Sequence, residues 1–542
     1  MKPFSLRIGR ETVTIEPTLA DRVVNYFSPE RGIHRMRARA QMAIVGGYTG
    51  ARRDRKQTSS WNPGDGDADS VILYDLPELR DRSRDLERNS PIAAGAINTK
   101  VTNVVGTGLK PRAAIDREIL SGLTEEQADA WERLAEAEFR LATSGKTFDV
   151  EHQFNFFQSQ DIVFRSMLSA GDTFVNLPRI PRPGNPYTLR TNFIEADRVC
   201  NPNSRADTAT MVAGVEKDSH GAPVKYHVAK FHPGNLRYAK KREWLELKAV
   251  DSEGRRLVLH VYRKRRIGQT RGVPDLAPVV ELIKQFSTYT DNEIQAAVVS
   301  SLLTVVVKSS NPNPELVDQD EKAKERIDTE GIKLGSGSVI GLWPDEDISI
   351  VDPKRPNVAA QAFLHAMAEQ IGVAIEMPFE ILVKHFTSSY SAAQAALLEF
   401  WRYVLSCRFW LAADYCQPIW ELVITEAVAL GRLPAPGFLN DPLIRMAYLG
   451  CEWVGDARGH IDENKAVNSA AKRVAEGFST KARETSGLTG GDWERDEKQR
   501  AKEQKIEGPR VAAMVRAETP PAPEPSAADL DAADNANQED AP

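Results

Sequence analysis

The chain has 542 residues, 41% hydrophobic and 27% charged, the composition of a soluble protein with room for two to four domains of roughly 150 residues each. The longest apolar candidate for a membrane span, Ala296 to Val307, is too short and contains two serines, so no membrane association is expected. The net charge is −6, but the last 26 residues carry seven acids and no base; without them the body stands at +1 and lacks the basic excess of a tight nucleic-acid binder.

The N-terminus, MKPFSLRIGRETVTIEP, has no apolar h-region, so no secretory signal is expected and the cytoplasm is the expected place of assembly. Residues 1–60 read as an irregular, basic arm, with Arg31, Arg35, Arg37 and Arg39, then Arg52, Arg53, Arg55 and Lys56. The stretch SSWNPGDGDADS (Ser59 to Ser70) reads as a loop. Leu76 to Asn98 reads as helix, with Pro91 starting a new turn. Val101 to Val105 is a short apolar run ending in Gly106-Thr107-Gly108, read as a strand-end turn. Leu123 to Ala142 and Phe154 to Ala170 read as helices. A β-rich region follows from Asp172 to about Tyr262, with alternating segments at Thr173–Leu177, Lys225–Val228 and Leu257–Tyr262.

Asp275 to Ser300 returns to helical spacing. Two β-like runs, Leu302–Val307 and Ser338–Leu342, flank a polar insert. Asn357 to Ile371 is helical, with Phe363, Met367 and Ile371 on one stripe. Next come Lys384, His385, Thr387, Ser388, Ser389 and Tyr390, a polar loop suited to water or a polyanion. Ser391 and Gln394 have the spacing of a capping box, which places a helix start at Ser391. That helix is expected to run to Leu430, kinked by Pro418 and closed by Gly431. Residues 440–510 read as helical, and the acidic tail as disordered.

Signatures of catalysis are missing. Ser144-Gly145-Lys146-Thr147 contains the GKT of a phosphate-binding loop, but Arg140 stands where the first glycine belongs, and a helix precedes it. Gly106-Thr107-Gly108 lacks the third glycine of a dinucleotide fingerprint. No H-E-x-x-H or G-x-S-x-G occurs, so no catalytic residue, metal site or cofactor is expected. Cys200, Cys407, Cys416 and Cys451 have no C-x-x-C spacing and are expected as thiols. The aromatics Phe400, Trp401, Tyr403, Phe409, Trp410, Tyr415 and Trp420 fit a helix buried on most faces better than a base-stacking platform.

Several segments in order carry a resemblance. They are LRDRSRDLERN (Leu79 to Asn89), NVVGTG (Asn103 to Gly108), GQTRGVPDLAPVVELIKQFSTYTDNEIQAA (Gly268 to Ala297), PKRPN (Pro353 to Asn357), YSAAQAALLE (Tyr390 to Glu399), PIW (Pro418 to Trp420) and DENKA (Asp462 to Ala466). In this order and spacing, over roughly residues 20–510, the chain resembles the portal proteins of lambda-like tailed bacteriophages. One departure is Gln394, where the family's Y-S-S-x-R run has arginine.

The resemblance implies an α+β, mainly helical fold with wing, stem, clip and crown, assembled as a homo-oligomeric ring of about twelve copies around a channel. Mapped onto this chain, it implies a wing over 61–274, stem helices over 275–300 and 353–373, and a clip over 301–352. The tunnel loop would be 374–390, holding Lys384, His385, Thr387, Ser388, Ser389 and Tyr390. A long wing helix over 391–431, a crown over 432–510 and a tail over 511–542 would follow. Implied partners are double-stranded DNA without sequence preference, the terminase large subunit, major capsid and scaffold proteins, and head-completion or connector proteins. The implied place is the capsid vertex of the virion. Another head or head–tail structural protein would share the composition but not the ordered segments, and a packaging enzyme would need the nucleotide or metal motifs that are missing. A chain ending at Ala517 is expected to assemble into the same rings as the full chain, as electron microscopy of the two proteins would show.

Overall fold

The computed structural model describes residues 4–8, 11–44, 56, 58–61, 63–235, 237, 243–301, 305–309, 346–350, 360–386, 389–459 and 462–518. The expected strand at 338–342, the PKRPN segment at 353–357 and the tail from 519 lie outside them. The chain divides into two units, Met1–Val71 and Ile72–Pro542.

The first unit is not the irregular arm expected from its sequence. Strands β1 (Phe4–Ile8) and β2 (Glu11–Ile15) pair as an antiparallel hairpin, and helices α1 (Leu19–Phe27) and α2 (Pro29–Ile44) follow. Thr18 and Asp21 close a capping box at the head of α1, and Arg35 of α2 donates Nε to Asp21 Oδ1 at 2.8 Å. High arginine content masked this order: the helical signal of α2 is thin in apolar residues, and Arg35, two turns into it, ties it to the head of α1.

A short helix α3 (Ala68–Ile72) spans the boundary, and the second unit continues with α4 (Leu76–Asn89) and α5 (Pro91–Val104), which break where Pro91 was expected to start a new turn. Val101 to Val104 closes α5 and is not a strand, so Gly106, at φ +56, is a helix-end turn. Strand β3 (Lys110–Ala113) and helices α6 (Glu125–Thr143) and α7 (Phe156–Ala170) come next. Thr124 with Gln127 and Asn155 with Gln158 form the two capping boxes that set where α6 and α7 begin.

The β-rich region holds β4 (Asp172–Asn176), β5 (Asn192–Ile194), β6 (Met211–Val212), β7 (Val215–Lys217), β8 (Pro223–Ala229), β9 (Trp244–Lys248) and β10 (Val258–Tyr262). They form one antiparallel sheet in the order β10-β4-β5 and another in the order β6-β7-β8-β9. Strand β4 is buried on both faces. By alternation, Phe174 enters a small core with Ile194, Tyr226 and Val228, while Val175 enters the main core with α4 to α7.

Helix α8 (Val280–Ser301), strands β11 (Val305–Ser309) and β12 (Glu346–Ile350) and helix α9 (Ala360–Ala374) follow. The two strands pair antiparallel, Val305 opposite Ile350. Then come α10 (Phe379–Leu382), α11 (Tyr390–Leu411), a π-helical turn at Ala412–Cys416 and α12 (Gln417–Ala429). Pro418 has no N–H to return to residue 414, and the widened turn just before it takes up the mismatch, with Gln417 N bonding to Ala412 O. Gly431, at φ +69, ends α12 as expected, with Gly431 N on Val428 O at 3.0 Å and Arg432 N on Ala427 O at 3.0 Å.

The C-terminal part holds α13 (Pro442–Tyr448), β13 (Cys451–Val454), α14 (Glu463–Ala475), α15 (Lys481–Thr489) and α16 (Trp493–Glu518). It is not purely helical: β13 pairs antiparallel with β3, more than 300 residues earlier. Among the aromatics of α11 and α12, Phe400, Tyr403, Tyr415 and Trp420 are buried and Trp401 and Trp410 pack against the core; Phe409 alone of the seven is largely exposed. All four cysteines are free thiols.

Asp172 opens β4 and is fully buried. It accepts from Arg271 Nε at 2.6 Å, Arg80 Nη2 at 2.8 Å, Gly272 N at 3.1 Å and His260 Nε2 at 3.2 Å. Arg271 spends its other donors on the carbonyls of Val199, Ala213 and Ala196, and Arg80 donates Nε to Ala170 O. The site exists because two backbones touch: a Cβ on Gly272 would fall 1.8 Å from Gly171 O. Burial works to raise the Asp172 carboxyl, but Arg271 and Arg80 override it and hold the group well below the usual carboxylate range. Burial lowers Arg80 to about 10, which leaves it charged at neutral pH. Burial also pushes His260 below its ordinary value against the pull of Asp172.

Asp172→Asn leaves two buried guanidinium groups without a counter-charge and is expected to cost about 3–5 kcal/mol, read as a lower urea midpoint. The pH dependence has a definite sign. His260 is neutral in the folded chain, while its unfolded form takes up a proton below about pH 6.5, so stability falls as pH drops through that value. The Asp172 contribution is present above about pH 3.9 and is lost only further into acid. The urea midpoint should therefore decline between about pH 6.5 and 5, and His260→Gln should flatten that decline.

Candidate nucleic-acid interface

Helices α8 and α9 form a pair whose bases are buried and whose far ends are open. Ile283 of α8 and Ile371 of α9 belong to the main core and Met367 of α9 is buried, whereas Ile294 and Phe363 are at least half exposed. Tyr289 meets Phe363 edge-on, with centroids 5.1 Å apart. The foot of the pair is fixed by charge. Asp275, five residues before α8, accepts from Lys100 Nζ at 2.6 Å and Arg265 Nη2 at 2.9 Å. Lys100 also sits 4.6 Å from the ring centroid of Tyr403 on α11. One buried ammonium thus ties the start of α8 to α5 and α11.

The chain leaves α9 through two left-handed turns. In the first, Glu376 at φ +56 lets Met377 N bond back to Gly372 O at 2.8 Å. Glu376 is held from outside by Arg263 Nη1 at 3.2 Å. A Cβ on Gly372 would lie 2.4 Å from Met377 O, so this turn needs glycine there. Helix α10 then anchors itself with buried Ile381 and Leu382. In the second turn, Lys384 at φ +55 lets His385 N bond to Glu380 O at 3.1 Å. A left-handed lysine costs about 1–2 kcal/mol relative to glycine, so its side chain sits on a deliberately tight turn.

Of the six residues expected to form the loop, the structure brings Lys384 and His385 together on this exposed turn, with Phe386 beside them. Neither Lys384 nor His385 uses its side chain in a hydrogen bond or ion pair among the described residues. Thr387 and Ser388 lie outside the described residues. Ser389 is the N-cap of α11, accepting from Ala392 N at 3.4 Å, and Tyr390 is the first helical residue. The cap is therefore two residues earlier than the Ser391–Gln394 box, because Ser389 reaches the third amide of its own helix just as Ser391 would have done. Within the expected loop over 374–390, the described residues 375–386 form two turns around a short helix.

Sequence reasoning missed the clamp on α11. Arg408 donates to the carbonyls of Val104 and Asn103 at the end of α5, each at 2.9 Å, and to Asp456 O at 2.8 Å. Asp456 in turn accepts from Thr107 N at 2.7 Å and Thr107 Oγ1 at 2.6 Å. The Gly-Thr-Gly segment is thus a helix terminus capped by an arginine 300 residues away. The legible signal was an arginine inside an otherwise apolar aromatic helix. Glu195, Asp197 and His232 come within reach of one cation, but Arg84 already pairs with both carboxylates, so the cluster is an ion-pair network. Gly372→Ala is expected to open the first left-handed turn, and the amide of Met377 should then exchange with deuterium about tenfold faster.

Residues 54–408 match the family described as "Phage portal protein, lambda family". The chain is 24% identical over 452 residues to portal protein B of Escherichia phage lambda, covering 79% of this chain and 84% of that protein. It is 23% identical over 455 residues to the portal protein of Escherichia phage N15, with the same coverage. Among solved structures it is similar to a chain in the neck of an empty gene transfer agent particle, at 12% identity, with a TM-score of 0.46 over 75% of this chain and 93% of that one. A portal protein of the HK97 family from Corynebacterium diphtheriae aligns at 13% identity, with a TM-score of 0.31 over 68% of this chain and 100% of that one. Since the family match spans more than half of its length, the chain belongs to the lambda family of phage portal proteins.

Proposed function

We propose that copies of this chain close into a ring of about twelve at one capsid vertex, through which double-stranded DNA enters during packaging and leaves on ejection. In this reading α8 and α9 are the stem, the β11–β12 hairpin belongs to the clip over 301–352, and α11 with α12 is the spine of the wing. The clip is the part that docks the terminase large subunit and later the head-completion or connector proteins. Major capsid and scaffold proteins surround the ring in the virion, which is assembled in the host cytoplasm. No catalytic step is part of this role.

The observation that carries the reading is the turn at Lys384 and His385: an exposed, uncommitted cation and imidazole on a rigid mount between a stem helix and the long helix. Ring symmetry turns one such side chain into a circle of charges. A DNA conduit needs guidance with little grip, because each neutralised phosphate adds counterion-release affinity that would hold the duplex. A body of charge close to neutral with a few cations on one turn meets that need. Such a turn touches phosphate and carries no base readout.

Negative-stain images of the purified protein should show rings with a central channel; a monomer at every concentration that hydrolyses ATP would sink the reading. Lys384→Ala with His385→Ala should leave the rings intact and lower packaged or retained DNA severalfold, measured as genome content per particle. Full genome content and normal infectivity in the double variant would remove this turn from the DNA path.

A further inference from the structure

A groove of about 1730 Å3 runs between β3, α6 and α7 on one side and the first turns of α16 on the other. Four cations line the first side: Lys110, Arg112, Arg133 and Arg140. Three line the second: Arg495, Lys498 and Lys502, spaced three and four residues apart and so on one helix face. None of the seven makes an ion pair among the described residues. The acids of the groove are largely engaged. Glu136 accepts from Ala113 N at 3.0 Å, Asp161 pairs with Arg165 at 3.5 Å, and Asp492 caps α16 by accepting from Glu494 N at 2.9 Å. The groove thus sets seven cations against five carboxylates, an excess of positive charge on two walls.

We propose that this groove seats the chain's own acidic C-terminal segment, residues 519–542. That segment carries Glu524, Asp529, Asp531, Asp534, Glu539 and Asp540 and no base. It continues directly from α16, the helix that forms one wall. Reach is ample: Lys502 to Glu518 is about 24 Å of helix, and 24 residues of extended chain span up to about 80 Å. The tether gives the segment a millimolar effective concentration at the groove, so weak, screened contacts suffice.

Charge density favours this occupant over nucleic acid. A duplex presents one phosphate per about 1.7 Å of axis, which the groove's own Glu494 and Asp496 would oppose. The tail presents its acids sparsely, so they can alternate with those carboxylates. The proposal does not depend on the assignment of the Lys384 turn to DNA.

The test is limited proteolysis of the full-length protein with endoproteinase Glu-C, following release of C-terminal fragments cut after Glu518 and Glu539 by mass spectrometry. Compared with the wild type, Arg495→Gln/Lys498→Gln/Lys502→Gln should release them about tenfold faster, and so should a tail variant, Asp529→Asn/Asp531→Asn/Asp534→Asn/Asp540→Asn, whose groove is untouched. Equal rates in the three proteins would overturn the proposal. Acceleration by the groove substitutions alone would also overturn it, since it would mean a loosened α16. A short DNA duplex should leave the wild-type rate unchanged; a rise to the variant rate would assign the groove to nucleic acid instead.

Discussion

Two guanidinium groups, an imidazole and a backbone amide converge on the Asp172 carboxylate in a place closed to solvent. A buried charge without partners would be ruinous, and here the geometry leaves few alternatives. Arg80 comes from α4, Arg271 from the segment before α8, and His260 from β10, so one carboxylate fixes the positions of three distant pieces of chain. The main core meets the smaller core across β4, the strand that Asp172 begins. Loss of this site would separate the sheet region from helix α4 and the segment that leads into α8.

The same logic recurs at smaller scale wherever an element has to be held at its end. Lys100 and Asp275 secure the foot of α8, Arg408 closes the end of α5, and Arg263 steadies the turn at Glu376. Each pairs a long cation with a carboxylate or with orphan helix carbonyls. The turn at Lys384 and His385 and the groove beside α16 gather cations that no such contact holds.

Much of the second unit was legible because its signals are local. Pro91, the helical spacing over Leu123 to Ala142 and Phe154 to Ala170, the alternation before Tyr262 and Gly431 each act over a short stretch. What stayed hidden depends on long separation. Nothing near Cys451 announces a partner strand at Lys110, and an apolar run such as Val101 to Val105 fits a buried helix end as well as a strand. Of the expected loop residues, Lys384 and His385 lie on a left-handed turn and Ser389 and Tyr390 begin a helix, which the sequence did not show. Lysine and glutamate give no hint of left-handed geometry, and two serines two residues apart offer equally good caps. The LRDRSRDLERN and GQTRGVPD segments, which carried the family resemblance, turn out to supply Arg80, Arg271 and Asp275 to the buried ion pairs and Arg84 to a partly exposed one. What had marked the family in sequence is therefore a device for assembling the protomer.

The widened turn at Ala412–Cys416 changes how the two helices on either side of it are phased. A π turn holds one residue more than an α turn, which is about 100° of rotation for everything downstream. Upstream, Phe409 points to solvent; downstream, Ile419, Trp420 and Val423 are all buried. Removing one residue here would straighten the helix and wheel Trp420 away from Phe139 and from its bond to Leu449 O. A single-residue deletion at this point would act like a gear slipping one tooth: every side chain would remain, and each would face the wrong neighbour.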